Sequence, residues 1–343
     1  MDVAALTDVL VVNAGSTSLK LSIVDDEERS STVESLDDAS GITAVGHRIV
    51  HGGEHFEPAL IDDALLAELD ALVELAPLHN APAVAAIVRA RRLMPDSAHV
   101  AVFDTAFHRT LPKLASTYLL PERFRARGIR RYGFHGLSIA WSAAQVDVER
   151  LVVCHLGGGC SVTAVKNGES LDTSMGFTPL EGVPMATRAG SLDPGALLYL
   201  LHHGVSLDDL ESALEHESGL LGLASSGDVA AVENDPSPQA VLALSIYCYR
   251  IAQSVAAMAV ALGGLDTLVF TAGVGEHSAR VRSEVCLHLA FLGVELDADA
   301  NAPAEPGNAD LATATSLVAV RVVKAREDVM IARGVRAALD AVA

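Results

Sequence analysis

Two short apolar runs open the chain: Leu10-Val11-Val12, then Leu19, Leu21 and Ile23 in alternation, with Asn13-Ala14-Gly15-Ser16-Thr17-Ser18 between them. This pattern predicts two strands joined by a turn of small residues. The same form returns at Leu151–Leu156, Gly157-Gly158-Gly159 and Val162–Val165. No helix follows either turn directly and neither ends in Gly-Lys-Ser/Thr, so neither is a P-loop. Two such hairpins a domain's length apart predict a duplicated α/β fold with a cleft between its halves. Buried strands are also predicted at Val45–Val50, His99–Phe103, Thr267–Phe270 and Ser316–Val323, with a further strand at Glu169–Thr173. Helical spacing marks Asp62–Leu75, with Asp62 as N-cap, and a second helix from about Pro82 to Leu93. Shorter helices are predicted at Ser138–Ala144, Asp193–His203 and Leu207–Glu215. A long apolar stretch, Ala240–Leu262, reads as a buried core helix ending at Gly263-Gly264. The pattern closes with a helix at Ser278–Leu292 and one from Glu327 to Ala341, while Ser225–Pro238 and Ala298–Ala312 read as connections.

Chemistry gathers where these elements end. Gly15 and the hydroxyls of Ser16 and Ser18 suit a phosphate-holding turn, with Lys20 as a nearby cation; an ordinary Ser-rich hairpin has the same composition. Asn13 closes its strand, a usual place for a metal or phosphate contact. Asp104 follows a buried strand, where α/β folds place their chemistry, or it caps the next turn. Arg188 is the lone cation of the loop 176–191. Gly273, Val274 and Gly275 precede a helix, so their N–H groups can face a nucleotide. His47, His51 and His55 recur every four residues, but Gly52 and Gly53 break any helix there, and no metal face is predicted.

Charge sharpens this picture. The 343 residues carry a formal net charge of −20, which argues against nucleic acid or an anionic membrane as partner. An acidic chain that binds an anion must collect its few cations at one place. The four cysteines form no CxxC pair, as expected of a reduced, cytoplasmic setting. The N-terminus has no basic region before an apolar stretch, so no signal peptide is expected.

The ordered blocks Asn13-Ala14-Gly15-Ser16, Gly46–Gly53, Ala76-Pro77-Leu78-His79-Asn80, Phe103–His108, Tyr132–Gly136, Thr173–Gly182 and Phe270–Gly273 make the chain resemble the acetate kinase family, within the superfamily of acetate and sugar kinases, heat-shock chaperone ATPases and actin. The resemblance runs from Val9 to the final helix. It implies an α/β fold of two actin-like (ribonuclease H-like) domains around a central cleft. Residues 1–106 plus 328–343 would form the first domain, and 107–327 the second, with nucleotide site and dimer surface. It implies transfer of the terminal phosphoryl of ATP to acetate, reversibly, with Mg²⁺ or Mn²⁺. Arg48 and Arg188 would clamp the carboxylate and the phosphoryl group, as planar guanidinium forks can. His135 would donate to the transferring group, and Asp104 would orient metal or carboxylate. Asn13 and Glu327 would hold the metal. Val50, Leu78, Phe134 and Pro179 would line a pocket for the methyl group. Ser16, Ser18, Lys20, His155, Gly157, Gly158, Gly159, Asp228, Gly273, Val274, Gly275 and His277 would hold the nucleotide. A homodimer in the cytoplasm is also implied.

The departures from the family pattern fall mostly on the nucleotide side. Gly158 and Cys160 stand where Asn and Ser are usual. Val229-Ala230 replaces Phe-Arg, His277 replaces Asn, and Arg326-Glu327-Asp328 replaces Asn-Glu-Glu. The expectation is an enzyme that holds phosphates well and bases loosely. Alternatives are another nucleotide or pyrophosphate as donor, propionate as acceptor, or a relative that binds without catalysis. Asn13, Arg48, Asp104, His135, Arg188 and Glu327 are all present, which favours the enzyme, because idle charges in a cleft are costly.

Overall fold

The computed structural model describes residues 8–15, 19–39, 41–302 and 307–342, without the side chains of residues 75, 77, 78 and 307–309. The chain divides into two compact units. Unit 1 holds residues 1–109, 134–141 and 326–343, and unit 2 holds 110–133 and 142–325. The short segment 134–141 thus packs with unit 1, although it lies between stretches of unit 2.

Unit 1 is built on one six-stranded sheet. Its strands are β1 (Val9–Ala14), β2 (Leu19–Val24), β3 (Ser30–Val33), β4 (Ala44–Ile49), β5 (Ala59–Leu60) and β6 (Ala98–Phe103), in the order β3-β2-β1-β4-β6-β5. β1, β4 and β6 run parallel, while β1–β2, β2–β3 and β5–β6 are antiparallel. Both faces of the parallel centre are covered, so its strands are apolar on both sides. Val9 and Val11 pack with Val329, Ile331, Ala332 and Val335 of the terminal helix Glu327–Asp340. Ala14, Ile49 and Phe103 point the other way, onto Leu65, Leu69 and Ile87. Gly46 permits the close approach of the terminal helix, because a Cβ there would lie 2.6 Å from Ile331 Cγ2. The helix Asp63–Ala71 is capped by Asp62, which accepts from the Leu65 amide.

Unit 2 repeats the design. β7 (Arg150–Leu156), β8 (Cys160–Lys166), β9 (Glu169–Thr173), β10 (Thr267–Thr271), β11 (Gly307–Asp310) and β12 (Ala319–Val322) follow the order β11-β12-β10-β7-β8-β9. β7 takes the place of β1, β10 that of β4, and β12 that of β6; β7, β10 and β12 are parallel. The long helix Pro238–Leu262 covers this sheet, capped by the Ser237 hydroxyl and closed by Gly263 at φ 72°. It is apolar enough in length and composition to cross a membrane, yet one face, from Ala240 through Tyr247 to Leu262, is buried against the protein. Its other face, with Leu242, Ile246, Tyr249 and Val260, is exposed. The expected buried core helix is therefore buried on one side only, because it lies across a single sheet face.

Four local readings change. The second helix starts at Pro77, not Pro82: Pro77 occupies the first turn, where its missing N–H costs nothing. The stretch 225–238 is not all connection, since Asp228 caps a helix at Val229–Asn234. The glycines after β10 lie in the short helix Ala272–His277 rather than in an open turn. The stretch 298–312 contains the helix Ala298–Asn301 and β11.

Candidate active site

In unit 1 the parallel strands deliver a polar cluster to one sheet edge. Asn13 is on β1, Arg48 on β4 and Asp104 directly after β6, while Glu327 opens the terminal helix. Asn13 donates from Nδ2 to Glu327 Oε2 at 2.9 Å. Arg48 donates from Nη1 to Asn13 Oδ1 at 3.1 Å and from Nε to Asp104 Oδ2 at 3.0 Å, and its Nη2 also reaches Asp104 Oδ2. The Arg48 Nη1 lies 3.7 Å from Glu327 Oε2. Asp104 is fully buried. Burial, joined by the Glu327 charge, holds its pKa above the usual carboxylate value, against the pull of Arg48. Burial alone would weaken Arg48 as a cation. The Asp104 and Glu327 carboxylates outweigh it, and Arg48 stays protonated. The result is an ion pair with one guanidinium facing two carboxylates, held before any ligand arrives.

His135 sits beside this edge on strained backbone, at φ 61°. Gly136 follows because nothing larger fits: a Cβ there would lie 2.0 Å from the Asp104 carbonyl oxygen. His108 Nε2 lies 3.0 Å from the Phe134 carbonyl, and burial lowers the His108 pKa to about 4, so the neutral ring donates and fixes the loop. Val50 and Phe134 are buried, and Phe134 meets the His51 ring edge-on at 5.6 Å. Asn80 clamps the backbone after β4, accepting from the His51 amide at 3.1 Å and donating to the His51 carbonyl at 3.0 Å. Leu78 lies in the helix Pro77–Leu93, its side chain outside the described residues. Lys20 is exposed on β2. Ser16 and Ser18 lie outside the described residues.

In unit 2 the β7–β8 turn is all glycine. A Cβ on Gly157 would lie 3.7 Å from Ala272 Cβ and 3.9 Å from His155 Nε2, so turn, histidine and the start of the helix Ala272–His277 converge. Ala272 is at φ 65°. Buried Arg282 steadies this helix by donating to the Gly275 and Glu276 carbonyls, each at 2.9 Å. Arg188 is buried and donates to the Pro179 carbonyl at 3.0 Å. Burial lowers its pKa, with Glu215 and Cys160 opposing. Its segment is tied to the glycine turn by Ala186 N–H to Gly158 O at 3.3 Å, and to the helix Gly219–Ala224 by Leu220 N–H to Met185 O at 3.0 Å. Asp228 spends one carboxylate oxygen on the Ala230 amide, at 3.0 Å. Val229 is buried, while Ala230 and His277 are exposed.

The sequence pattern of the acetokinase family matches residues 31–333 of this chain. The chain belongs to the acetokinase family. Among its relatives, the acetate kinase of Deinococcus deserti is 47% identical over 316 residues, covering 88% of this chain and 79% of that one. The acetate kinase of Clostridium beijerinckii is 41% identical over 324 residues, 90% of this chain and 80% of its own. The crystal structure of Porphyromonas gingivalis acetate kinase matches with a TM-score of 0.85 at 32% identity, covering 97% of this chain and all of that one. A propionate kinase structure from Francisella tularensis matches with a TM-score of 0.90 at 32% identity, covering 96% and 99%. The two-sheet architecture is thus the actin-like fold of these kinases.

Within the family frame, unit 1 brings Asn13, Arg48, Asp104 and Glu327 together, with His135, Phe134 and Val50 on the same unit. Unit 2 carries Arg188, Pro179, His155, Asp228, His277 and the glycines. Sequence reasoning missed Asn80, His108, Arg282 and Arg131. Arg131 donates to the carbonyls of Thr173, Ser174 and Met175, each at 3.0 Å, and pairs with Glu181 at 2.7 Å, stitching the loop that carries Pro179. Only the unusual polarity of these positions hinted at such work. Among the described residues no group of three or more His, Cys, Asp or Glu gathers in a metal-ready set. The Glu327 carboxylate and the Asn13 amide oxygen do fit Mg²⁺, which binds through one or two protein oxygens and takes the rest from water and phosphate.

Proposed function

We propose that the chain is an acetate kinase, a phosphotransferase with a carboxyl acceptor, passing the terminal phosphoryl of ATP to acetate to give acetyl phosphate and ADP, and back. The observation that carries this reading is the cluster on the unit 1 sheet edge, found in a chain of this family: one guanidinium held against two carboxylates and an amide. Phosphoryl transfer asks a protein mainly for positioning and charge neutralisation. Arg48 supplies a cation fixed by Asp104, so it needs no reorganisation when an anion arrives. Arg188 supplies a second guanidinium, desolvated and aimed by the Pro179 carbonyl. His135 donates a hydrogen bond to the transferring group. Val50, Leu78, Phe134 and Pro179 accept the methyl end of the acid. Glu327 and Asn13 hold Mg²⁺, or Mn²⁺ in its place, directly or through water. The ion, when bound, screens the charge on the nucleotide phosphates.

The glycine turn, Gly273, Val274 and Gly275, with His155, Asp228 and His277, hold the nucleotide, with Lys20, Ser16 and Ser18 on the phosphate side. The exposed apolar face of Pro238–Leu262 supports a homodimer, the acidic charge argues against a nucleic acid or anionic membrane partner, and the four free cysteines suit a cytoplasmic enzyme. Propionate is a second acceptor to consider, because a propionate kinase structure superposes as well as an acetate kinase does. A hydroxamate assay for acyl phosphate, with acetate and propionate against ATP, GTP and pyrophosphate, tests both readings. Acyl phosphate from ATP and acetate is the expected result. No product from any donor would leave only a binding protein.

A further inference from the structure

Cys160 and Tyr247 are 87 residues apart in sequence and meet beneath the glycine turn. Cys160 opens β8 directly after Gly159, and Tyr247 lies on the buried face of the long helix. The Cys160 thiol donates to the Gly157 carbonyl at 3.4 Å. Tyr247 Oη lies 3.2 Å from the same sulfur. With the thiol proton committed to Gly157, the phenol must donate to Sγ. Both groups keep their protons, since burial pushes the thiol and the phenol above their usual values.

This chain of donors decides which atoms the turn presents. The Gly157 carbonyl is taken by Cys160, and the Gly157 amide donates to the Gly159 carbonyl at 3.0 Å. The Gly158 carbonyl accepts from Ala186. The amides of Gly158 and Gly159 have no partner among the described residues. A Cβ on Gly158 would meet nothing within 4 Å, so the space in front of the turn is open. Gly158 is exposed, and two adjacent unpaired amides at such a turn are the material of an anion-binding concavity.

We propose that Tyr247 and Cys160 are positioning residues that set the Gly158 and Gly159 amides toward the phosphates of the nucleotide. The inference rests on the reading of this turn as the nucleotide-phosphate site. Both act through the backbone and neither touches the ligand. Cysteine suits the place because its long C–S bond reaches the Gly157 carbonyl while leaving sulfur lone pairs for the phenol.

Three variants test it by calorimetric titration with MgADP and by steady-state kinetics. Cys160→Ala leaves the buried phenol and the Gly157 carbonyl without their partner. It should weaken MgADP binding and raise KM for ATP by about tenfold, with KM for acetate within about twofold of the parent. Cys160→Ser keeps both a donor and an acceptor, and should recover most of the loss. Tyr247→Phe removes only the outer link and should fall between. An unchanged MgADP affinity in Cys160→Ala overturns the proposal, as does an equal rise in KM for acetate or a loss that serine does not recover. If the unaltered protein binds no MgADP, the nucleotide-site reading falls as well, and the two failures are told apart by that first titration.

Discussion

Units 1 and 2 share a strand order and finish their inner strands in opposite ways. In unit 1, Asn13 and Arg48 stand one residue before the ends of β1 and β4 and Asp104 directly after β6, and their side chains bond one another and Glu327. In unit 2 the matching positions hold His155, Phe270 and Val323, so one strand side chain there is polar and the remaining polarity comes from bare glycine amides and one buried guanidinium. A parallel sheet edge fixes where chemistry sits and leaves its kind to the terminal residues. Charged side chains make an edge suited to a metal and a small anion. Bare backbone makes one suited to a long chain of phosphates.

The sharpest way to break this contrast is to remove one cation from each unit. Arg48→Ala and Arg188→Ala should each lower kcat by at least ~10²-fold. Only Arg48→Ala should also unfold early in urea, because it leaves the fully buried Asp104 without its partner, a loss of about 3–5 kcal/mol. If both variants lose stability alike, the claim that only unit 1 depends on its charges is wrong.

Glycine substitutions probe the same contrast through space. Gly136→Ala puts a Cβ 2.0 Å from the Asp104 carbonyl, so it should cost about 1–3 kcal/mol by overpacking and reduce turnover. Gly158→Ala meets nothing within 4 Å and should stay within about 0.5 kcal/mol of the parent in urea titration. Equal stability of the two proteins would show that the unit 1 loop is looser than its contacts require.

A smaller effect is expected at the base. Val229 points into the core and Ala230 offers no face to stack on. ATP, GTP and ITP should therefore have kcat/KM values within about tenfold, since 1.4 kcal/mol is one decade. A preference for ATP above a hundredfold would show that other side chains build an adenine pocket.

The gentlest perturbation is pH. Burial lowers His47 to about 3 and His108 to about 4, from 6.5. Below pH 6.5 the unfolded chain takes up protons that the folded one refuses, so stability is full above 6.5 and falls as pH drops toward 4. The urea midpoint should decline over that window, and His108→Asn should flatten the decline. A midpoint that does not move would mean these rings are protonated in the folded protein.

The central strands were legible because each is a local apolar run ended by small or polar residues, whereas β3, β5 and β11 are too short or too polar to show one. Glu327 was likewise readable as the start of the terminal helix, and Asp62 as a cap. The stitching was not readable. Arg131 serves carbonyls 42–44 residues away, and Asn80 bonds a backbone segment 29 residues back. Such pairings leave no period in the sequence, because folding alone brings the partners together. The helix Val229–Asn234 was hidden for another reason. Its six residues are too few to show a face, and only the Asp228 cap announced it.

Asn13 and Glu327 are hydrogen-bonded across 314 residues. Synthesis on the ribosome delivers all of the unit 1 sheet before any of unit 2, yet the helix that covers one face of that sheet follows nearly all of unit 2. Domains usually complete themselves in the order they are made. Here the N-terminal sheet must wait, one apolar face uncovered, while nearly all of unit 2 is translated. The nascent chain is thus most exposed to chaperones and to misassembly during the making of the other half. A stop codon ahead of Arg326 would remove both Glu327, the residue proposed to hold the metal, and the lid of the first core, and the defect would read as aggregation before it read as lost activity.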